Sequence, residues 1–296
     1  MMRGMSAAIS GLEGSQTMLD VTANNLANSD TIGYKSQATS FVDELSQTLA
    51  PATKPNGYNG GTNAQQVGLG VQVGAIQNEM GAGSLQTTGN ALDIAIQGSG
   101  MFQVGTNSPA AGATPTPANP VGYPPTGASP NIQYSRAGNL TLNSEGYLTN
   151  QSGQYVLGSQ TPGTPGTDVS PIYLNVPPGS TNVAVGMDGA VTYTDTSNQP
   201  QTAGYLSLAT FPNEAGLERD GGSLWSATAS SGPASTGTPT EGGFGTTISG
   251  SLEGSNVDMA TEFTNMITAE RTYQANSKVI TTADTMLSTL VNMVQG

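Results

Sequence analysis

The chain has 296 residues, of which only 9% are charged, and 20 acidic against 7 basic residues leave a net charge of −13. That balance excludes nucleic acid and anionic membrane as partners, because seven scattered cations assemble no basic patch. There is no cysteine and no histidine, which excludes disulfides, Cys/His metal sites and His-activated nucleophiles. The 40 glycines and 18 prolines point to short strands and many turns, wetted by amides and hydroxyls rather than ions. No apolar run is long enough to span a bilayer, so no membrane insertion is expected. Arg3 is followed by alternating small and polar residues with no apolar h-region. The expectation is therefore export without a cleaved signal peptide.

Residues 1–28 carry the first regular pattern. Met5, Leu12, Leu19 and Leu26 recur every seven positions, with Ile9, Gln16 and Ala23 on the adjoining line. This is the seam of a helix packed along other helices. Gly4, Gly11 and Gly14 each weaken such a helix by about 1 kcal/mol relative to Ala, so it is expected to fold on contact. Asn28-Ser29-Asp30 and Gly33 stop it.

Thr39–Leu49 reads as a short helix, with Phe41, Val42, Leu45 and Leu49 on one face. Ala50–Gln66 reads as an extended connector. Val67, Leu69, Val71 and Val73 alternate as one strand with an inward face. Leu92–Ile96 and Met101–Val104 flank Gly98-Ser99-Gly100, which reads as a hairpin or bulged turn. Gly105–Pro130 is a long Pro/Gly/Ala/Thr-rich loop. The strand pairs expected next are Ile132–Arg136 with Leu140–Leu142, Tyr147–Leu148 with Tyr155–Leu157, and Ile172–Val176 with Val183–Val185. Val191–Tyr193 and Tyr205–Phe211 complete the set, with Asn139, Asp188-Gly189 and Asn198 as turn residues. Ser230–Gly245 is a second low-complexity connector, and Ser249–Val257 leads into the last helix.

That helix has the longest pattern. Met266, Tyr273, Ile280, Leu287 and Val294 form one heptad line, and Ala269, Asn276, Ala283 and Leu290 the other. Asp258 and Glu262 suit the positive end of its dipole. From Asp258 to Val294 it would be about 55 Å long, and it needs a partner, which residues 1–28 can provide. The expected class is α+β. Residues 1–28 with 258–296 form a helical coiled-coil core, 29–66 with 240–257 an extended connector, and 67–239 an inserted all-β outer domain.

Candidate chemistry is sparse. Gly98-Ser99-Gly100 follows a strand, but Gln103 stands where a dinucleotide site needs glycine and no helix follows. Asp258, Glu262, Glu270 and Asp284 fall on a solvated helix face. Asp188 to Asp195 offers oxygen ligands without EF-hand spacing, so a hairpin turn is expected there. Met259, Met266, Met286 and Met293 follow helical spacing as packing side chains. No catalytic, cofactor or metal site is expected.

Two short motifs identify a family. Ala23-Asn24-Asn25-Leu26-Ala27-Asn28 with Gly33-Tyr34-Lys35 resembles the N-terminal motif of bacterial flagellar rod and hook proteins. Ser255-Asn256-Val257-Asp258, then Ala269-Glu270-Arg271-Thr272-Tyr273-Gln274-Ala275-Asn276-Ser277 and Thr281-Thr282-Ala283-Asp284, is similar to their C-terminal signature. Leu92–Ile96 and Arg136–Asn139 match parts of their β-domain. The resemblance implies a non-enzymatic subunit exported by the flagellar type III apparatus, which polymerises into an extracellular tube of the hook and basal body. Its implied partners are further copies of itself and other axial proteins: rod, hook cap and hook–filament junction.

Gly60–Asn63, Val67–Gly70, Leu224–Thr228 and Glu241–Gly245 resemble a short-type hook protein, a bendable joint that passes motor torque to the filament. Leu45–Gln66 occupies the place of the insertion that stiffens the distal rod, which makes the distal rod protein the alternative. A secreted β-rich adhesin with a helical stalk is the alternative outside the family.

Overall fold

The computed structural model describes residues 2–55, 60–106, 131–162 and 172–295. The loop expected over Gly105–Pro130 therefore lies almost wholly outside the described residues. Packing divides the chain into two compact units. One comprises Met1–Ala27, Gln37–Gln77 and Asp258–Gly296; the other comprises Asn28–Ser36 and Asn78–Val257.

The helical unit holds α1, Met2–Ala27, and α2, Met259–Gln295. Along α1, Ser10, Ser15, Thr17 and Thr22 fold their hydroxyls back onto carbonyls three or four residues earlier. This lets small polar residues sit in a helix without competing for its turns. α2 does the same on a larger scale: Thr264, Thr268, Thr272, Thr282 and Thr289 each donate to the carbonyl four residues back. Asp258 caps its start. Its carboxylate accepts from the Ala260 N–H at 3.0 Å and the Thr261 hydroxyl at 2.8 Å, which holds its pKa below the usual carboxylate value.

Between the helices the chain forms β1, Gln37–Asp43; β2, Ser46–Ala50; β3, Gln65–Gly68; and β4, Val71–Asn78. β2 pairs antiparallel with β3, and β1 pairs with β4, so one hairpin is nested inside the other. The short helix expected over Thr39–Leu49 is therefore two strands. Phe41, Val42, Leu45 and Leu49 do fall at helical spacing, but all four are exposed, so no buried face rewards a helix. Cross-strand bonds to 65–78 win instead. The single strand expected through Val67–Val73 breaks at Leu69-Gly70. Gly70 has φ +149° and lies against Ser10 of α1, whose hydroxyl accepts from the Val71 N–H at 3.3 Å.

The β-rich unit is built on an antiparallel sheet. In spatial order its strands are Thr181–Val185, Ala190–Thr194, Pro200–Leu206, Tyr155–Ser159, Met101–Gly105, Ile132–Ser135, Leu224–Ser226 and Glu218–Gly221. Ile94, Ile96, Phe102, Leu148, Leu206 and Leu208 are among the side chains that form its core, all essentially inaccessible. The turns at Asp188-Gly189 and Asn198 lie where the sequence put them, with φ of +77° at Gly189 and +58° at Asn198.

Three local pairings differ from expectation. Ile94–Gln97 pairs with Thr246–Ser249, while Met101–Gly105 joins the main sheet. Gly98-Ser99-Gly100 is thus a corner between sheets rather than a hairpin, made with φ of +112° and +131° at its glycines. Ile132–Ser135 pairs with Met101–Gly105 and Leu224–Ser226, and Thr141–Leu142 pairs with Leu148–Thr149. Ile172–Tyr173 pairs with Tyr155–Ser159, not with residues 183–185. Neighbouring apolar runs suggest local hairpins, but register here is decided by which face reaches the core.

Residues 230–257, expected as connector and lead-in, also fold into this unit. Ser235–Gly237 pairs with Leu208–Thr210, Ser251–Glu253 pairs with Leu85–Thr87, and Ser231, Thr238 and Phe244 are buried. Low complexity here means small residues packed closely: a Cβ on Gly237 would lie 2.5 Å from the Phe244 ring.

Candidate functional site

α1 and α2 pack on small residues. Ala8, Ser15 and Thr22, seven apart, are buried, as is Ala269 opposite. At Gly11 the helices come so close that a Cβ would lie 2.6 Å from Asn276 Nδ2. A Cβ on Gly14 would sit 3.1 Å from the Phe41 ring of β1. Two of the three glycines that weaken an isolated helix, Gly11 and Gly14, are thus close-approach positions in the folded one. The signal was present in the sequence as a second heptad of small residues, masked by the louder apolar one.

The expected seam residues lie beside this line. Met5, Leu12, Leu19 and Leu26 on α1, and Met266, Ile280 and Leu287 on α2, are half-buried. Tyr273 is 41% exposed and Leu290 52%; Val294 falls in α2, its side chain outside the description. Met259, Phe263, Ile267, Val279 and Met286 are also exposed on α2.

The two terminal motifs meet through side-chain amides. In the helical unit, buried Asn25 donates to the Gln37 carbonyl at 2.8 Å and to Glu262 Oε1 at 3.0 Å, and accepts from the Gln37 N–H at 3.0 Å. One side chain thereby ties α1 to the start of β1 and the first turn of α2. Asn28 accepts from the Thr31 N–H through its carbonyl and from the Thr31 hydroxyl through Oδ1, closing the turn after α1. Ala23 and Asn24 are exposed on α1.

In the β-rich unit, Gly33–Ser36 lies along Glu253–Asn256. The Gly33 N–H donates to the Glu253 carbonyl at 2.8 Å, the Asn256 N–H to the Tyr34 carbonyl at 3.4 Å, and the Ser36 N–H to Asn256 Oδ1 at 2.7 Å. Asn256 Nδ2 reaches on to the Glu79 carbonyl at 2.8 Å, and the Glu79 N–H returns to the Ser36 carbonyl at 2.8 Å. Ser255 Oγ accepts from the Val257 N–H, shaping the exit towards α2.

Beneath these bonds lies a buried charge cluster. Lys35 Nζ meets Glu253 Oε1 at 2.6 Å and the Gly81 carbonyl at 2.8 Å, with Lys35 and Glu253 both wholly inaccessible. Arg136 Nη1 meets Glu253 Oε2 at 3.1 Å, and its Nη2 donates to the Gly98 carbonyl. The Gly83 N–H adds a further bond to Glu253 Oε1. Arg219 stacks between Tyr34 and Trp225, 4.5 and 4.9 Å from their ring centres, and donates to the Lys35 carbonyl at 2.6 Å. Glu253, Arg219 and Trp225 were not singled out from sequence as site residues. For Glu253 and Trp225 the one signal was a lone charge or aromatic in a stretch of small residues, whereas Arg219 is flanked by Glu218 and Asp220 and reads as part of an exposed charged turn.

Burial pushes the Lys35 ammonium below its ordinary value, against the opposing pull of Glu253. Burial also raises Tyr134, Tyr147, Tyr173 and Tyr193 above 10.0. The signs oppose. A lowered Lys35 adds stability as pH rises towards 10.5, because the unfolded chain holds the extra proton. Raised tyrosines contribute stability that is full below pH 10 and lost above it. The Lys35 contribution is complete once pH passes its ordinary value of 10.5, whereas the loss from the tyrosines continues, so resistance of the β-rich unit to urea is expected to fall above that pH. Tyrosinate absorbance should then rise together with loss of structure; full ionisation before unfolding would contradict it.

Among the described residues no group of acidic side chains could hold a metal ion, and no helix is long and apolar enough to cross a membrane. The chain thus pairs its terminal helices and carries, between them in sequence, an inserted β-rich unit. Residues 5–35 match the family described as flagella basal body rod protein, 125–193 the flagellar hook protein FlgE/F/G D1 domain, and 248–293 the flagellar basal body rod FlgEFG protein C-terminal. The chain is 37% identical over 294 residues to the flagellar basal-body rod protein FlgG of Bacillus subtilis, covering 99% of both. It is 37% identical to FlgG of Agrobacterium fabrum over 97% of both chains. To the flagellar hook protein FlgE of Escherichia coli it is 28% identical over 415 aligned residues, 97% of this chain and 99% of that one. The chain belongs to the flagellar rod and hook family of axial proteins.

Proposed function

We propose that this chain is the subunit of the distal rod, polymerising into a straight, stiff tube that carries motor torque and encloses the export channel. The observation that carries this reading is correspondence in length: alignment with the Bacillus rod protein takes 294 positions to cover 99% of each chain, whereas alignment with the hook protein takes 415 positions to cover 97% of this one. The nested hairpin of β1–β4 supports it, because a hydrogen-bonded ribbon is stiffer than the compliant linker a bendable joint would use. The hook is the second reading, favoured by the segments at 60–70, 224–228 and 241–245 and by the full-length match to the Escherichia coli hook protein.

In either tube the half-buried seam of Leu12, Leu19, Ile280 and Leu287, with the exposed Phe263 and Ile267, is covered by neighbouring copies. The proposed export route is type III, with the N-terminus retained, and the proposed partners are the adjoining axial proteins.

Electron microscopy of concentrated protein tests this. Straight tubes are expected; curved tubes would establish the hook, and discrete trimers the stalked adhesin. Leu287→Asp should abolish tubes while leaving the melting of the β-rich unit unchanged, since an unpaired carboxylate buried at every subunit contact is strongly unfavourable. Normal tubes from this variant would mean that Leu287 faces water in the polymer.

A further inference from the structure

The bonds between Gly33–Ser36 and Glu253–Asn256 join segments that are far apart in sequence, Lys35 and Glu253 being 218 positions from one another. Each segment is also the last stretch of the β-rich unit before a terminal helix: Asn28–Ser36 follows α1, and Val257 precedes α2. Any pull applied through the two helices therefore enters the unit at residue 28 and leaves it at residue 257. Between those points the shortest bonded route crosses from one segment directly to the other.

We propose that this junction is a mechanical clamp. It passes tension between the chain's two ends, so that the sheets of the β-rich unit carry none until the clamp breaks. The order of the bonds supports a strong arrangement. Gly33 pairs with Glu253, and Tyr34 and then Ser36 with Asn256, so both segments advance in the same chain direction. Pulled from the start of one and the end of the other, they are loaded in shear. Their bonds then share the load instead of opening one after another.

The Lys35–Glu253 pair lies across the same boundary at 2.6 Å, fully shielded from water, where a charge-assisted bond is strongest. Arg136 and the Gly83 N–H hold the Glu253 carboxylate from behind, and Arg219 holds the Lys35 carbonyl. Both halves of the clamp are thus anchored in the body of the unit.

The inference rests on the chain's own bonding, so its failure would leave the tube reading intact. It is tested by stretching single full-length molecules held by their ends. The terminal helices should lengthen first at low force. One high-force event should follow, releasing the length of the β-rich unit at once; gradual lengthening of that unit before the event would overturn the proposal. A second attachment geometry supplies the control. The chain has no cysteine, so Ser152→Cys with Ser197→Cys gives two exposed handles inside the unit.

Lys35→Met should make end-to-end rupture at fixed force at least about tenfold faster, one decade being 1.36 kcal/mol of barrier. It should leave rupture between the internal handles unchanged. Asn256→Ala, which removes the acceptor for Ser36, is the milder second variant should Lys35→Met fail to fold. An unchanged end-to-end rate, or equal acceleration in both geometries, would mean that the cluster only stabilises the fold.

Discussion

Glu253→Ala is expected to be the most damaging single substitution in the β-rich unit. It removes the carboxylate from between Lys35 and Arg136, leaving one ammonium with no exposure and one guanidinium nearly buried, both without their counter-charge. Breaking a buried ion pair from one side costs about 3–5 kcal/mol, a large part of the 5–15 kcal/mol that typically holds a domain together. A unit of this size should then melt about 10 °C lower. Lys35→Met should cost clearly less, because Glu253 keeps both Arg136 and the Gly83 N–H. Thermal melts followed by circular dichroism give the ranking directly. If the two variants melt alike, Arg136 does not hold the carboxylate as the geometry indicates.

Gly33→Ala is the second large effect. Gly33 has φ +66°, and a Cβ there would lie 2.6 Å from the Ala137 nitrogen, which is main chain and cannot swing away. Left-handed strain and displaced backbone together should cost about 3 kcal/mol. Gly4→Ala is the internal contrast. A Cβ at Gly4 meets nothing within 4 Å, so the helix should gain about 1 kcal/mol from the better helix former. The same chemical change is then expected to act in opposite directions at two glycines 29 positions apart in one motif-bearing segment. Stabilisation by Gly33→Ala would mean that the loop relaxes away from Ala137.

That contrast marks what could be read from the chain in advance. Two terminal helices were legible because heptads of Leu, Ile and Met survive any context, and strands such as Ala190–Thr194 because turn residues frame them. The contact between the helices was not legible. Ala8, Ser15, Thr22 and Gly11 carry it through closeness rather than apolar area, and a periodicity of small residues is faint. The strands Gln37–Asp43 and Ser46–Ala50 were misread because four apolar residues at helical spacing mimic a buried face that does not exist. Lys35 and Glu253 were out of reach for another reason. Each is a single charge in an uncharged stretch, and only the fold brings them together. The motifs marked where the junction lies without revealing its chemistry.

The threonines of α2 change how the surface of that helix should be counted. Thr264, Thr268 and Thr272 spend their one O–H on carbonyls of their own helix, close in sequence to the exposed Phe263 and Ile267. A side that reads as hydroxyl-rich in composition thus has fewer free donors to offer a partner than its threonines suggest, and its exposed Phe263 and Ile267 are left to supply apolar area. Contacts made on such a side gain their free energy mainly from released water. They strengthen on warming from the cold and respond little to ionic strength. A joint held this way grips through heat and through changes of salinity, conditions that would loosen one built on surface ion pairs.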